Sequence, residues 1–352
     1  MATAEQFLDR FLAVVGDASV CAMCAIGDRL GLFRVLAERG PLTAADLARH
    51  GAVDERSARE WLHALASADF VTRDGDRFAL PPEHAALLAY EESPFYLGGV
   101  ARLLPALGGV LDRVVAGFRT GAGVPVEDYP AELFATMHRM AGLWLEKMLV
   151  AQWVPAVPGL ADRLGRGGRV AHLASGDGRA LVLLARAFPR CEFVGYDRVA
   201  ANVATARSAA AAAGLADRVR FVHGDPSELD GGCVLVLALD VLHDALDLTA
   251  TLRAVARAIG PDGVFLLLET DCAADPADNT GPAATLFYAT SALYSVPIAQ
   301  AAGGEAWGMM GLPEPVLRAA CGAAGLGGVR TLAHPIPTFN TLYEIRAAEF
   351  TR

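Results

Sequence analysis

A histidine and an aspartate stand side by side at His243-Asp244, after the apolar run Val234 to Leu239 and the acid Asp240. A histidine titrates near neutrality. At the ligand edge of a sheet it is suited to taking the proton from a phenol, enol or hydroxyl as the oxygen becomes nucleophilic. Asp244 is placed to orient it, although neighbours in sequence need not point together. The same histidine type also serves as a hydrogen-bonded structural residue or a metal ligand. A metal would call for a third ligand, and the stretch from Ala289 to Val296 offers Tyr294 and Ser295 but no histidine.

Upstream lies a second cluster. Val170 to Ala174 reads as a short buried strand, Ser175-Gly176-Asp177-Gly178 as a turn, Ala180 to Ala187 as a helix, and Glu192 to Tyr196 as a strand closed by Asp197. Gly176 and Gly178 let a ligand approach the backbone, the helix start offers amide donors, and the Asp197 carboxylate can accept hydrogen bonds from ribose hydroxyls. This describes a nucleoside cradle without a full dinucleotide fingerprint. An ordinary tight turn capped by an aspartate uses the same residues. Asp225, after Val219 to Val222 and His223-Gly224, serves either adenine recognition or a local turn.

Positioning these residues takes a sheet. From Arg169 onward, apolar strands alternate with helices, and Gly260-Pro261-Asp262-Gly263 reads as the turn into Val264 to Glu269. Continuous apolar strands separated by helices predict an α/β, doubly wound, Rossmann-like domain covered on both faces. Residues 272–312 read as an insertion over its carboxyl edge. Ahead of the sheet, residues 4–16 and 18–38 read as helices. A short helix capped by Thr43, a longer one from Glu55 to Ala68, and a hairpin turning at Arg73-Asp74-Gly75-Asp76 complete a winged helix. Its second helix mixes Glu55, Arg56, Arg59 and Glu60 instead of forming a basic stripe, so packing against a second subunit is the better use of the module. The expected boundaries are 1–92 for the winged-helix domain, 93–166 for a helical connector and 167–352 for the Rossmann-like domain. Trp144, Met148, Phe287, Tyr288, Tyr294, Trp307, Met309 and Met310 are candidates to wall an aromatic substrate, or to fill a core.

Thirty basic against 40 acidic residues, a net charge of -10, argue against a large nonspecific nucleic-acid surface. The six cysteines are scattered, and Cys21 and Cys24 sit among apolar neighbours where packing is expected. No signal-like N-terminal core and no unbroken apolar span stands out, so the expectation is a cytoplasmic protein that binds neither membrane nor nucleic acid.

Taken together, Arg169 to Arg179, Gly195-Tyr196-Asp197, His223-Gly224-Asp225, Leu239 to Asp244 and Gly260 to Glu269 resemble, in this order, the class I S-adenosylmethionine-dependent methyltransferases. With the winged helix in front, nearly the whole chain resembles the small-molecule O-methyltransferases, whose first domain usually makes a dimer. The resemblance implies a homodimer that uses S-adenosylmethionine to methylate an oxygen of a small aromatic or polyketide-like metabolite. It implies His243 as general base with Asp244 beside it, and His172, Ala174, Gly176, Gly178, Asp197, Asp225 and Asp240 around the cofactor. Two residues depart from the pattern. The usual strand-ending acid is His172, and the first loop glycine is Ala174. A metal-dependent C-methyltransferase of 2-oxo acids and a non-methylating isomerase or cyclase stay open as alternatives.

Overall fold

The computed structural model describes residues 3–93, 95–225, 229–333 and 339–348. In chain order it runs through α1 (Ala4–Arg29), α2 (Leu32–Arg39), α3 (Ala44–Gly51), α4 (Glu55–Ser67), β1 (Thr72–Asp74), β2 (Arg77–Ala79), α5 (Pro82–Leu88), α6 (Leu103–Gly108), α7 (Leu111–Thr120) and α8 (Ala131–Met148). After α9 (Val154–Ala156) and α10 (Leu160–Arg166) come β3 (Gly168–Leu173), α11 (Arg179–Ala187), β4 (Cys191–Asp197), α12 (Ala200–Ala212), β5 (Val219–His223), β6 (Cys233–Leu239), α13 (Leu248–Ala258) and β7 (Ile259–Thr270). The chain ends on α14 (Gly281–Thr290), α15 (Val296–Ala301), α16 (Glu314–Ala323), β8 (Leu326–Leu332) and β9 (Asn340–Ala347). Two compact units result, one of residues 1–110 and 129–143, the other of 111–128 and 144–352.

The first unit is a winged helix. Thr43 and Asp46 exchange side-chain and backbone hydrogen bonds in a capping box that starts α3, and the Asp54 carboxylate caps α4 through Ser57 N at 2.8 Å. Phe33, Leu36, Leu47, Leu62 and Leu65 are fully buried between α2, α3 and α4, and Trp61 donates to the Met23 carbonyl of α1 at 2.8 Å. The α4 arginines are paired along the helix, Arg59 with Glu55 and Arg56 with Glu60.

One reading of this region is corrected. The helices expected over 4–16 and 18–38 are one continuous helix through Gly16, and the break falls at Gly31, whose φ of 66° is left-handed. Gly16 costs a helix interior only about 1 kcal/mol, too little to stop it. By length and composition α1 also qualifies as a membrane-crossing helix, which a search for an unbroken apolar run misses because Asp9, Arg10 and Asp17 interrupt it. Its apolar side chains Phe7, Leu8, Phe11 and Leu12 are each more than half exposed. At its other end, the buried Asp28 carboxylate is held by Arg102, Arg139 and the Tyr96 hydroxyl.

The second unit is built on a seven-stranded sheet of order β5-β4-β3-β6-β7-β9-β8, parallel from β5 through β7 and antiparallel at β9 and β8. Strand side chains alternate between two cores. Val170, Leu235, Leu237, Val264 and Leu266 face one core with α10, α11 and α12, while Ala171, Val236, Ala238, Phe265 and Leu267 face the other with α13 and α16. Burial on both faces is why these strands read as unbroken apolar runs. The turn expected at 260–263 lies inside β7. These residues are absorbed by a register shift opposite Cys233 and Leu235, so the strand begins earlier than its apolar run does. Strand order reverses between β3 and β6, and there the carboxyl ends leave the crevice in which open α/β sheets bind ligands.

Candidate active site

The residues expected to bind the cofactor or act on the substrate, from His172 to Asp244, lie at or just past the carboxyl ends of β3, β4, β5 and β6. On the β4 side, Asp197 is buried. Its two carboxylate oxygens accept the backbone N–H groups of Gly176 and Val199, each at 2.8 Å. Oδ1 also accepts from the Asn202 side-chain amide at 3.3 Å, so Asp197 ties the glycine turn to the start of α12. Gly176 and Gly178 are left-handed, with φ of 56° and 79°. A Cβ on Gly178 would come within 2.5 Å of Phe221 and 2.8 Å of Ala206, so this glycine lets helix pack on strand. Ala174 holds φ of 48°, a conformation that costs an alanine about 1 kcal/mol. Asp225 is exposed just past β5.

His172 sits on the penultimate position of β3, paired in register with Gly195 and Leu237. It is 4% exposed, and neither ring nitrogen has a hydrogen-bond partner among the described residues. Burial drives its pKa down to about 4, so the ring is neutral at physiological pH.

His243 is buried as deeply, at 3%, and its surroundings are opposite. It lies in a single helical turn after β6. Its Nδ1 is 2.5 Å from Glu269 Oε1, and its backbone N–H donates to Glu269 Oε2 at 3.2 Å. Glu269 is 1% exposed at the end of β7, and its Oε1 also accepts the Thr270 N–H at 2.9 Å. Burial alone would lower the His243 pKa. Glu269, Asp244 and Asp240 overcome it and push the ring up to about 10. Asp244 Oδ2 stands 3.8 Å from Nε2, beyond hydrogen-bond reach, so Glu269 and not Asp244 fixes the ring.

Asp240 holds φ of 59°, and its Oδ1 accepts the Asn340 amide at 2.6 Å and the Thr270 hydroxyl at 3.3 Å. Burial raises its pKa to about 6, with His243 pulling the other way. One donor atom each from Asp240, His243 and Glu269 lies within 4.8 Å of the others, a spacing that a metal ion could use. Within the set, His243 and Glu269 are hydrogen-bonded to each other, while Asp240 is bonded to Asn340 and Thr270. Sequence reasoning does not pair Glu269 with His243. Its signal is an acid closing five apolar residues, Val264 to Leu268, where a buried charge requires a partner.

Within the second unit a cavity of about 720 Å³ opens among Val114, Phe118, Tyr288, Trp307 and Met310. Trp307 donates to Glu305 at 2.7 Å, and the same carboxylate accepts the N–H of Leu248, the first residue of α13. Three of the expected wall residues are therefore lining residues: Tyr288, Trp307 and Met310. Met148 is fully buried in the core, and Phe287 stacks edge-on against Phe339.

A family model described as a methyltransferase domain matches residues 171–265. The second unit carries a methyltransferase domain. A model of an Rv2258c-like winged helix-turn-helix domain matches residues 18–90 in the first unit. Among solved structures, mitomycin 7-O-methyltransferase is similar over 97% of each chain, at 23% identity and a TM-score of 0.68. An O-methyltransferase family protein from Burkholderia thailandensis is similar over 99% of this chain and 100% of its own, at 18% identity and 0.68. An O-methyltransferase from neocarzinostatin biosynthesis, solved with S-adenosylmethionine and 2-hydroxy-5-methyl naphthoic acid, covers 94% and 96%, at 20% identity and 0.61. At these identities the likeness is one of fold, a winged helix followed by the Rossmann-like domain of class I methyltransferases.

Proposed function

We propose that the protein moves a methyl group from S-adenosylmethionine to an oxygen of a small aromatic or polyketide-like metabolite, with His243 as the acid–base residue. The observation that carries this reading is the buried His243–Glu269 pair at the carboxyl edge of the same sheet whose strand β4 ends in Asp197. The donor supplies an electrophilic methyl carbon when bound. Its nucleoside suits the cradle, where an acid, Asp197, closes β4 beside the glycine turn that its bond to the Gly176 N–H holds in place. Glu269 accepts from Nδ1 and leaves Nε2 as the nitrogen that can meet an acceptor. The carboxylates that raise His243 to about 10 hold the ring protonated at neutral pH, where its imidazolium stabilises a phenolate acceptor; the neutral fraction, which grows as pH rises toward 10, is the form that takes the proton of a phenol. The aromatic walls of the 720 Å³ cavity support a flat organic acceptor, and the similarity to enzymes of mitomycin and neocarzinostatin assembly supports a place in secondary metabolism. Replacing His243 by Gln is expected to lower methyl transfer about 10²-fold without changing nucleoside affinity. An unchanged rate would remove the proton-transfer role and leave alignment as the source of catalysis.

A methyltransferase fold turned to non-methylating chemistry is the second reading, favoured by neutral His172 and by Ala174 in the turn. Nucleoside binding with no methyl transfer across a broad panel of phenols would select it.

The same proposal includes a cytoplasmic homodimer. Exposed Phe7, Leu8, Phe11 and Leu12 on α1 form a face that water disfavours, and the buried Asp28 cluster anchors the other end of that helix in its own winged helix. A second copy of α1 is the occupant proposed for this face. Sedimentation should give a dimer at micromolar concentration, and Phe11→Glu should give a monomer. A wild-type monomer contradicts the assembly.

A further inference from the structure

We propose that Asp240, at the end of β6, supplies the negative charge that holds the ammonium end of the methyl donor, in place of residue 172. The inference rests on the methyl-donor reading above and adds which side chain reads the donor's charge.

The argument starts from where charge is present and where it is absent. With the nucleoside over Asp197 at the end of β4, the rest of the ligand must extend across the neighbouring strand ends, β3 and then β6. On β3 the residue available is His172. It is neutral, and both of its ring nitrogens are buried without a partner, so it can exchange one hydrogen bond with a ligand but cannot balance a cation. Ala174, which follows, has no polar side chain. The next strand is different. Asp240 stands just past the paired end of β6, beside Glu269 and Asp244. One imidazolium, His243, faces these three carboxylates. The guanidinium of Arg198, whose Nη2 donates to the Asp244 carbonyl oxygen at 3.0 Å, is a second cation, so three carboxylates stand against two cations. Carboxylates therefore outnumber cations at this strand end, where desolvation, with Glu269 and Asp244 against His243, leaves the half-buried Asp240 with a raised pKa.

Asp240 is also held in place by its neighbours. Its Oδ1 is fixed by Asn340 and Thr270, from β9 and β7. Its left-handed backbone, uncommon outside glycine and best tolerated by Asn and Asp, shows that surrounding contacts determine its orientation. An ammonium group arriving there would meet a carboxylate and relieve the excess negative charge in one step. The chain would then have moved the donor's counter-charge by one strand, from β3 to β6, leaving His172 free of that duty.

Calorimetry on the full chain tests this with two nucleosides that differ in the ammonium-bearing tail. S-adenosylhomocysteine carries the tail, and 5′-methylthioadenosine lacks it. Wild type is expected to bind S-adenosylhomocysteine at least about tenfold more tightly, the value of one charge-assisted hydrogen bond. Asp240→Asn, a substitution suited to the left-handed backbone, should erase that preference while 5′-methylthioadenosine binds as before, which also reports that the variant is folded. His172→Leu should keep the preference. A preference unchanged in Asp240→Asn, or lost in His172→Leu, overturns the assignment. Absence of binding by either nucleoside to the wild type overturns the methyl-donor reading itself.

Discussion

His172 and His243 are both buried at the same edge of one sheet, and they end in opposite charge states. His172 ends β3 among apolar neighbours with no hydrogen-bond partner among the described residues, and desolvation alone decides its fate. His243 follows β6 and meets Glu269 at one nitrogen, with Asp244 and Asp240 nearby, and their combined field outweighs the same desolvation. Burial therefore does not set the charge of a histidine. The carboxylates that the neighbouring strand ends bring to it do so. Strand β7 contributes Glu269 to one histidine, and no strand contributes an acid to the other.

The pair should accordingly respond to pH with opposite sign. The folded pKa of His243 is raised, so its contribution to stability is complete below about pH 6.5, its unfolded value, and is lost as pH rises through about 10. Glu269→Gln should remove most of that alkaline loss, and a urea unfolding series between pH 7 and 10 checks it. The folded pKa of His172 is depressed to about 4. Between about pH 6.5 and 4 the unfolded chain binds the extra proton, so stability falls as pH falls, by about 3 kcal/mol over the window. His172→Leu should flatten that limb. An identical acid limb in the variant would mean that His172 is not neutral in the fold. The smallest effect concerns the turn after His172. Ala174→Gly relieves the left-handed strain at φ of 48° but adds freedom to the unfolded chain, for a net gain of at most about 1 kcal/mol in thermal unfolding.

Much of the sheet is legible in the sequence for a physical reason. Strands buried on both faces must be apolar throughout, and Val234 to Leu239 and Val264 to Leu268 are. Asp197 is legible as the acid that closes β4 and caps the glycine turn. Local punctuation misleads where tertiary structure overrides it. Gly16 does not break α1, and the turn at Gly260 to Gly263 is a bulge within β7 instead of a loop before it. The least legible feature is the Glu269–His243 bond. Twenty-six residues separate the partners, and only the order of β6 beside β7 brings them together. Asp244 is nearer in sequence and farther from the ring.

The claim on which the rest depends is that the crevice at the end of β3 and β4 holds the methyl donor through Asp197. Calorimetric titration of S-adenosylhomocysteine into the wild type and into Asp197→Ala tests it most directly. Saturable one-site binding by the wild type, weakened about tenfold or more in Asp197→Ala through the lost charge-assisted hydrogen bonds, is the predicted result. A folded wild type that takes up no nucleoside, or one whose affinity is indifferent to Asp197, would contradict it.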